Sequence, residues 1–280
     1  MSLPSVNWRP RPLAEASPAG HPIYEQLVAS IKLGNPVTSC VAGLVWTLVE
    51  AGGNAGLALT LQDGLFESYL PGRIDGAETH WLAERITSWN MFDASVAHGA
   101  INSWFNRRER VEALLGRPLV DTRGTTLFER LAQRFAGGSV AVVGHFPHLE
   151  PLSENCQLTI LERRPSRGDL PDQACEYVLG RQDCVCITGC TLTNKTLPRL
   201  LELSRDTYVV LVGPSVPLSP LWFEYGVDLL AGTVVLDPLG ALAAVQQGGR
   251  RSLFGHSLAK VEIEASDLAP HWPRKTRDPG

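Results

Sequence analysis

A chain of 280 residues, 44% hydrophobic and 19% charged, has the composition of a globular protein and can bury a core as one large or two ordinary domains. A formal net charge of −4 and a pI near 6.0 give no electrostatic footprint for nucleic acid, and no apolar run approaches the ~20 residues that span a bilayer, so neither partner is expected. Residues 1–20 lack the apolar stretch of a signal peptide and read as a flexible tail, as does the end at 265–280, so the expected location is cytoplasmic and the six cysteines are read as reduced.

From 21 to 33, Ile23, Leu27, Val28 and Ile31 recur at helical spacing ahead of Gly34, a natural C-terminal cap. Short strands are predicted over 37–43, 44–50 and 56–61, rich in Val, Thr and Leu and parted by glycine-containing turns. Helices over 77–88 and from Asp93, read as an N-cap, to Phe105 complete an α+β unit over residues 21–120. In the last helix Ala97, Ala100, Ile101 and Trp104 form the apolar stripe. Ser95, His98 and Asn102 share another face, either solvated or looking across a cleft.

Residues 125–250 have another rhythm. The runs at 139–144, 158–163, 184–189, 208–213 and 229–235 are almost continuously apolar, as strands covered on both faces are. Helices are expected from Thr196, from Ser219-Pro220 to Gly226 and from Asp237-Pro238 to Gly248. Five strands with such crossovers predict an α/β fold, a Rossmann-like doubly wound parallel sheet.

Ligands of such sheets sit beyond the carboxyl ends of the strands, where the segments 144–148, 162–165, 189–196 and 213–217 are rich in Gly, Thr, Asn, His and charge. The segment 188–196 holds four threonines, Asn194 and Lys195 before a helix start, which reads either as a pocket for a carboxylate or phosphate or as a self-satisfied capping loop. Gly144-His-Phe-Pro-His lacks the spaced glycines that let a pyrophosphate approach the backbone, so classical NAD binding is not expected, although Glu162 stands where a ribose-binding acid would. His145 and His148 form a loose metal-ligand pair. Cys184 and Cys186 point to one face of a strand and are read as packing.

The motifs GHFP, ERRP, GDLPD, TGCTLTNKTL and GPSVPLSP closely resemble those of the heavy-metal chelation domain family, a domain of unknown function, and GLALTLQ and ASVAHGAINSWF resemble its companion N-terminal domain. The resemblance implies a Rossmann-like domain preceded by a smaller α+β unit like the enolase N-terminal domain, with a cleft between them. It implies as site residues Gly144, His145 and Phe146; Glu162 and Arg163; Thr188, Gly189, Thr191, Asn194 and Thr196; Gly213, Pro214 and Ser215; and, across the cleft, Asn102. Cys184, Cys186, Cys190 and Lys195 depart from the family pattern. The expected function is binding of a small anionic molecule or a metal chelate, with a divalent or heavy metal ion at His145 and His148. The alternative is an enzyme acting on a small anionic metabolite, with His145 as general acid/base and Glu162 orienting the ligand. A homo-oligomer is left open.

Overall fold

The computed structural model describes residues 21–63, 68, 70, 74–121, 126–249 and 251–269; the tail read over 1–20 lies outside them, and of the tail read over 265–280 the part described is ordered, Ala265–Asp267 forming a 3₁₀ turn and the buried Ala269 donating its N–H to the Leu114 carbonyl. Helix α1 (Pro22–Ala29) begins with proline at its first position and the His21 side chain as cap. It stops short of Leu33, its last turn tightening as the Ile31 N–H bonds the Val28 carbonyl and the Ser30 hydroxyl takes the Gln26 carbonyl. Three antiparallel strands follow, β1 (Val37–Ala42), β2 (Trp46–Ala51) and β3 (Asn54–Leu59). Gly52 and Gly53, at φ 56° and 76°, make the two-residue hairpin that joins β2 to β3.

Helix α2 (Thr79–Ala83) tightens into a 3₁₀ turn at Glu84–Thr87, so the single helix expected over 77–88 is two pieces. The long helix α3 (Met91–Phe105) starts two residues before Asp93, which is therefore not its cap. The Asn90 carboxamide oxygen takes that role, accepting the N–H groups of Phe92 and Asp93 at 2.9 and 3.1 Å. Helix α4 (Arg108–Leu115) ends at Gly116, and α5 (Leu127–Arg134) opens with a reciprocal Thr126–Glu129 capping box.

The second half is a seven-stranded sheet. In chain order its elements are β4 (Ser139–Val143), α6 (Glu150–Asn155), β5 (Gln157–Glu162), β6 (Leu170–Pro171), α7 (Cys175–Val178), β7 (Cys184–Thr188), α8 (Leu197–Leu203), β8 (Tyr208–Val212), α9 (Leu221–Glu224), β9 (Leu229–Val235), α10 (Pro238–Gln246) and β10 (Leu258–Glu264). The order across the sheet is β10-β9-β8-β7-β4-β5-β6, parallel except for β10, which returns antiparallel along β9. The five predicted strands are its middle and the doubly wound reading holds. The short edge β6 and the closing strand β10 are additions. The chain runs outward from β4 to β6, then crosses back to β7, so the topological switch lies between β4 and β7.

Helices α5 and α6 cover one sheet face through Phe128, Leu131 and Leu152 against Val140, Val142, Cys184, Cys186 and Val210. The other face shares one core with α1, α3, α4 and α8. The small sheet is also covered twice. Val37, Val49 and Ala51 pack against Val96 and Ala100 of α3, while Leu48, Ala55 and Leu57 pack against Ala241, Ala244 and Val245 of α10. No helix among the described residues is long and apolar enough to cross a membrane.

Helix α3 rests directly on β3. A Cβ added at Gly56 would lie 2.0 Å from the Ser103 nitrogen and 2.3 Å from the Gly99 oxygen, both main-chain atoms of α3. Gly56→Ala is expected to cost about 3 kcal/mol, the upper range for overpacking, because no side chain can move aside. A urea denaturation series reads this as a lower midpoint at unchanged slope; a loss below ~1 kcal/mol would show that α3 can lift off the sheet.

Candidate functional site

The loops leaving β4 and β7 flank the switch point and, with those leaving β5 and β8, open into a cavity of about 420 Å³. Gly144, His145, Phe146, Glu162, Arg163, Thr188, Asn194, Pro214 and Ser215 all line it, so residues predicted from four strand ends come together. Pro147, Arg164 and Cys190 join them. The opposite wall belongs to the small sheet and its exit, with Trp46, Leu59, Leu61 and Asp63. A smaller cavity of about 100 Å³ continues inward from Gly144, Glu162, Thr188 and Asn194 and adds Thr191 and Thr196.

Four predicted residues line neither of these two cavities. Gly189 is beneath it, where a Cβ would meet the Ser215 carbon and the Val216 nitrogen at 2.7 Å, so the exits of β7 and β8 touch main chain to main chain. Gly213, at φ 114°, and Gly144, at φ 103°, are called for by their backbone conformation, and the Phe146 ring lies across these strand ends with its edge 3.7 and 3.4 Å from where their Cβ atoms would stand. His148, at φ 64°, lines a separate cavity of about 80 Å³ on the far side of Phe146 and Pro147. The two histidines of the metal-ligand pair thus face different cavities. Asn102 is wholly buried, as described below.

His145 is held at both ends. Its N–H donates to Glu162 Oε2 at 2.9 Å, and its ring Nδ1 lies 2.9 Å from Asp169 Oδ2. The ring is 47% exposed, whereas the Asp169 side chain is only 3% exposed. Burial pushes the Asp169 carboxyl up, but hydrogen bonds from His145 and from the Ser166 N–H, with the His145 charge, outweigh it and hold it below the usual carboxylate range. Glu162 also accepts the Arg164 N–H at 3.1 Å, so it bridges the two loops instead of pairing with an arginine side chain. Those side chains pair elsewhere, Arg163 with Asp172 at 3.2 Å and Arg164 with Asp63 of the small unit at 2.8 Å.

The threonine-rich segment satisfies itself. The Thr191 hydroxyl donates to the Thr188 carbonyl at 2.6 Å, Asn194 Oδ1 accepts both the N–H and the hydroxyl of Thr196, and the Thr193 hydroxyl meets His98 Nδ1 at 2.7 Å. Lys195, at φ 67°, turns its ammonium into the seam between the units, donating to the carbonyls of Ser88 and Thr193. Burial pulls it down to about 7, against the opposing charge of Asp93. Most of these polar groups thus find partners within the protein, and Lys195 does not line the cavity.

The polar face of α3 is neither solvated nor in the cavity. It is a buried seam, with Ser95, His98 and Asn102 fully enclosed. The Ser95 hydroxyl accepts the Leu61 N–H, Asn102 donates to the Leu57 carbonyl, and the next residue in the row, Asn106, donates to the carbonyls of Val216 and Thr233 and accepts the Leu218 N–H. Ser215, under the cavity, closes the same seam by accepting the Leu59 N–H at 2.9 Å.

Among the described residues no group of three or more His, Cys, Asp or Glu side chains stands ready to hold a metal ion. The thiols do not compensate. Hydrogen bonding to Cys186 and burial push the Cys184 thiol up, and burial does the same to Cys190, whose sulfur lies 3.4 Å from the Thr188 hydroxyl. Among the described residues His145 is the only imidazole that lines the cavity, and a carboxylate holds its ring. The sequence reading does not single out Asp169; its signal is the tight turn Ser166–Asp169, whose last two residues begin the GDLPD motif. Trp46, Leu59 and Leu61 carried no signal, since only the packing of one unit on the other makes them a wall.

A family model, DUF364, described as "Putative heavy-metal chelation", matches residues 126–263, and a second, DUF4213, with the same description, matches residues 24–105. A DUF364-family protein of unknown function from Desulfitobacterium hafniense has a similar crystal structure, with 33% identity, a TM-score of 0.78, and coverage of 87% of this chain and 98% of that one. Another, from Pyrococcus horikoshii, shares 20% identity with a TM-score of 0.70, covering 86% of this chain and 98% of that one. No curated protein matches.

His98 makes the seam sensitive to acid. Burial lowers it from 6.5 to about 3, with the Ser215 main chain pulling the other way and Lys195 adding to the fall. Between those values the unfolded chain takes up a proton that the folded chain refuses. Stability from this group is complete above about pH 6.5 and falls as pH drops toward 3, by up to ~1.4 kcal/mol per pH unit. Urea midpoints of wild type and His98→Gln across the upper part of that window check this. The wild type should lose stability more steeply, and parallel curves would remove His98 as the cause.

Proposed function

We propose, given that this chain belongs to the DUF364 family, that its cleft binds a metal ion already wrapped in a small organic chelator, with His145 adding the protein's own donor. The observation that carries this is the mismatch between room and donors. The cavity, about 420 Å³, falls in the range of small-molecule sites, and Trp46, Leu59, Leu61, Phe146, Pro147 and Pro214 give it an apolar wall. A borderline ion such as zinc asks for about four ligands, and the described residues offer no ready set of three. An organic chelator would supply the missing donor atoms and the apolar surface that the wall is shaped to cover.

The chain's own residues would then divide the work. His145 offers an imidazole nitrogen to the ion, while Thr188, Asn194 and Ser215 bound the polar side of the cavity. Arg163 and Arg164 stand at its rim in exposed ion pairs with Asp172 and Asp63. Such pairs contribute about 1 kcal/mol or less, so an acidic group on the chelator can take an arginine from its partner at little cost. An anionic chelate therefore fits as well as a neutral one.

The second reading, an enzyme on a small anionic metabolite with His145 as general acid/base, draws on the same carboxylate-held ring. Glu162 fits that reading less well as a reacting group, since both its oxygens accept main-chain N–H groups.

Calorimetry with the one-to-one zinc–bipyridine complex, with zinc chloride and with bipyridine alone tests the proposal. The complex should bind at one per chain and at least tenfold more tightly than either component. His145→Ala should weaken it by about tenfold or more, equivalent to about 1.4 kcal/mol. Zinc chloride binding as tightly as the complex, or an unchanged affinity in His145→Ala, would overturn it.

A further inference from the structure

The contact between Asp169 and His145 does more than anchor a loop. Asp169 lies on the turn between β5 and β6, and its Oδ2 accepts two hydrogen bonds at once, from His145 Nδ1 at 2.9 Å and from the Ser166 N–H at 2.8 Å. The turn is closed a second time by the Asp169 N–H on the Ser166 carbonyl at 3.0 Å, with Gly168 at φ 103°. The carboxylate is thus fixed in place and almost wholly shielded, while the imidazole it touches stands half exposed in the cavity wall. At the other end the His145 main chain is pinned by Glu162, so neither the backbone nor the ring is left to drift.

A carboxylate has no hydrogen to give, so the bond has one polarity: Nδ1 carries the proton and Asp169 accepts it. Unaided, a neutral imidazole prefers the opposite tautomer, with hydrogen on Nε2, and that nitrogen then has no lone pair to offer. We infer that Asp169 is the positioning residue that sets the His145 tautomer, baring the Nε2 lone pair toward the cleft and making it the atom through which a borderline divalent ion in an incoming chelate is held. Ligating histidines commonly have their second nitrogen fixed in this way, and loss of such a partner typically weakens metal affinity 10–100-fold. This rests on reading His145 as the protein's donor, but the tautomer itself is a property of the empty protein and can be measured without any metal.

The test is ¹⁵N NMR of the His145 ring at a pH above the imidazole range, assigned by its absence in His145→Gln. The wild type should show a protonated Nδ1 and a bare Nε2; a bare Nδ1 overturns the inference outright. Asp169→Ala should move the proton mainly to Nε2 and weaken the zinc–bipyridine complex by about tenfold or more. Asp169→Asn, which keeps a carbonyl able to accept at the same place, should restore the wild-type tautomer and most of the affinity. An unchanged tautomer in Asp169→Ala sinks the role of Asp169 even if the chelate binds. The predicted tautomer shift in a protein whose wild type ignores the chelate leaves Asp169 in its role and removes the binding proposal instead.

Discussion

Everything in this protein hangs on α3 being enclosed on all sides. All of its residues except Phe92 are buried, yet its sequence includes Asp93, Ser95, His98, Asn102 and Ser103. A helix that buries polar groups needs partners for them, and here many of those partners are main-chain atoms of β3, its exit and the loops around the large sheet. Asn106, just beyond the helix end, extends the row to Val216, Leu218 and Thr233. The result is a directional lock. Apolar packing alone would let the units slide, whereas hydrogen bonds at fixed spacing set one relative position. Since the cavity has one wall from each unit, its shape is inherited from that lock.

The large sheet is readable because parallel strands covered on both faces are apolar almost without interruption, as β4, β7, β8 and β9 are, whereas β5 keeps Gln157, Thr159 and Glu162 and buries only Leu161. Strand β10 escaped for the opposite reason. It alternates, with Val261 and Ile263 turned into the core and Lys260, Glu262 and Glu264 less buried, so as an antiparallel edge it resembles a polar segment. Helix α5 is marked in the sequence by the capping-box pair Thr126 and Glu129. The polar stripe of α3 could not be interpreted from spacing alone, because burial and solvation look the same until the acceptors on distant segments are known.

The candidate site divides along the same line. Residues at strand ends were legible as a group because topology dictates where strand ends point, and His145, Glu162, Asn194 and Ser215 do line one cavity. What spacing could not give was the direction of each side chain. Lys195 leaves the loop for the seam, His148 goes to the far side of Phe146, the Thr191 hydroxyl turns back to its own backbone, and those of Thr193 and Thr196 go to His98 and Asn194. Asp169 reaches His145 across 24 residues of chain, a pairing no local pattern reveals. Around that cavity Arg163 and Arg164 are paired with Asp172 and Asp63, and His145 with Asp169, while among the described residues the Glu162 carboxylate is bound only by main-chain N–H groups.

The two family matches, 24–105 and 126–263, suggest a chain that could be cut between them, but the second face of the small sheet belongs to α10, far beyond the cut. A fragment ending near residue 120 would leave Leu48, Ala55 and Leu57 without cover and expose a sheet face able to pair with its own copies. The complementary fragment would carry α10 with nothing to sit on. Neither half is a transplantable module. The strand-end loops of the large sheet therefore share their support with the small sheet across the cleft, and a change in the packing of either is felt by both walls.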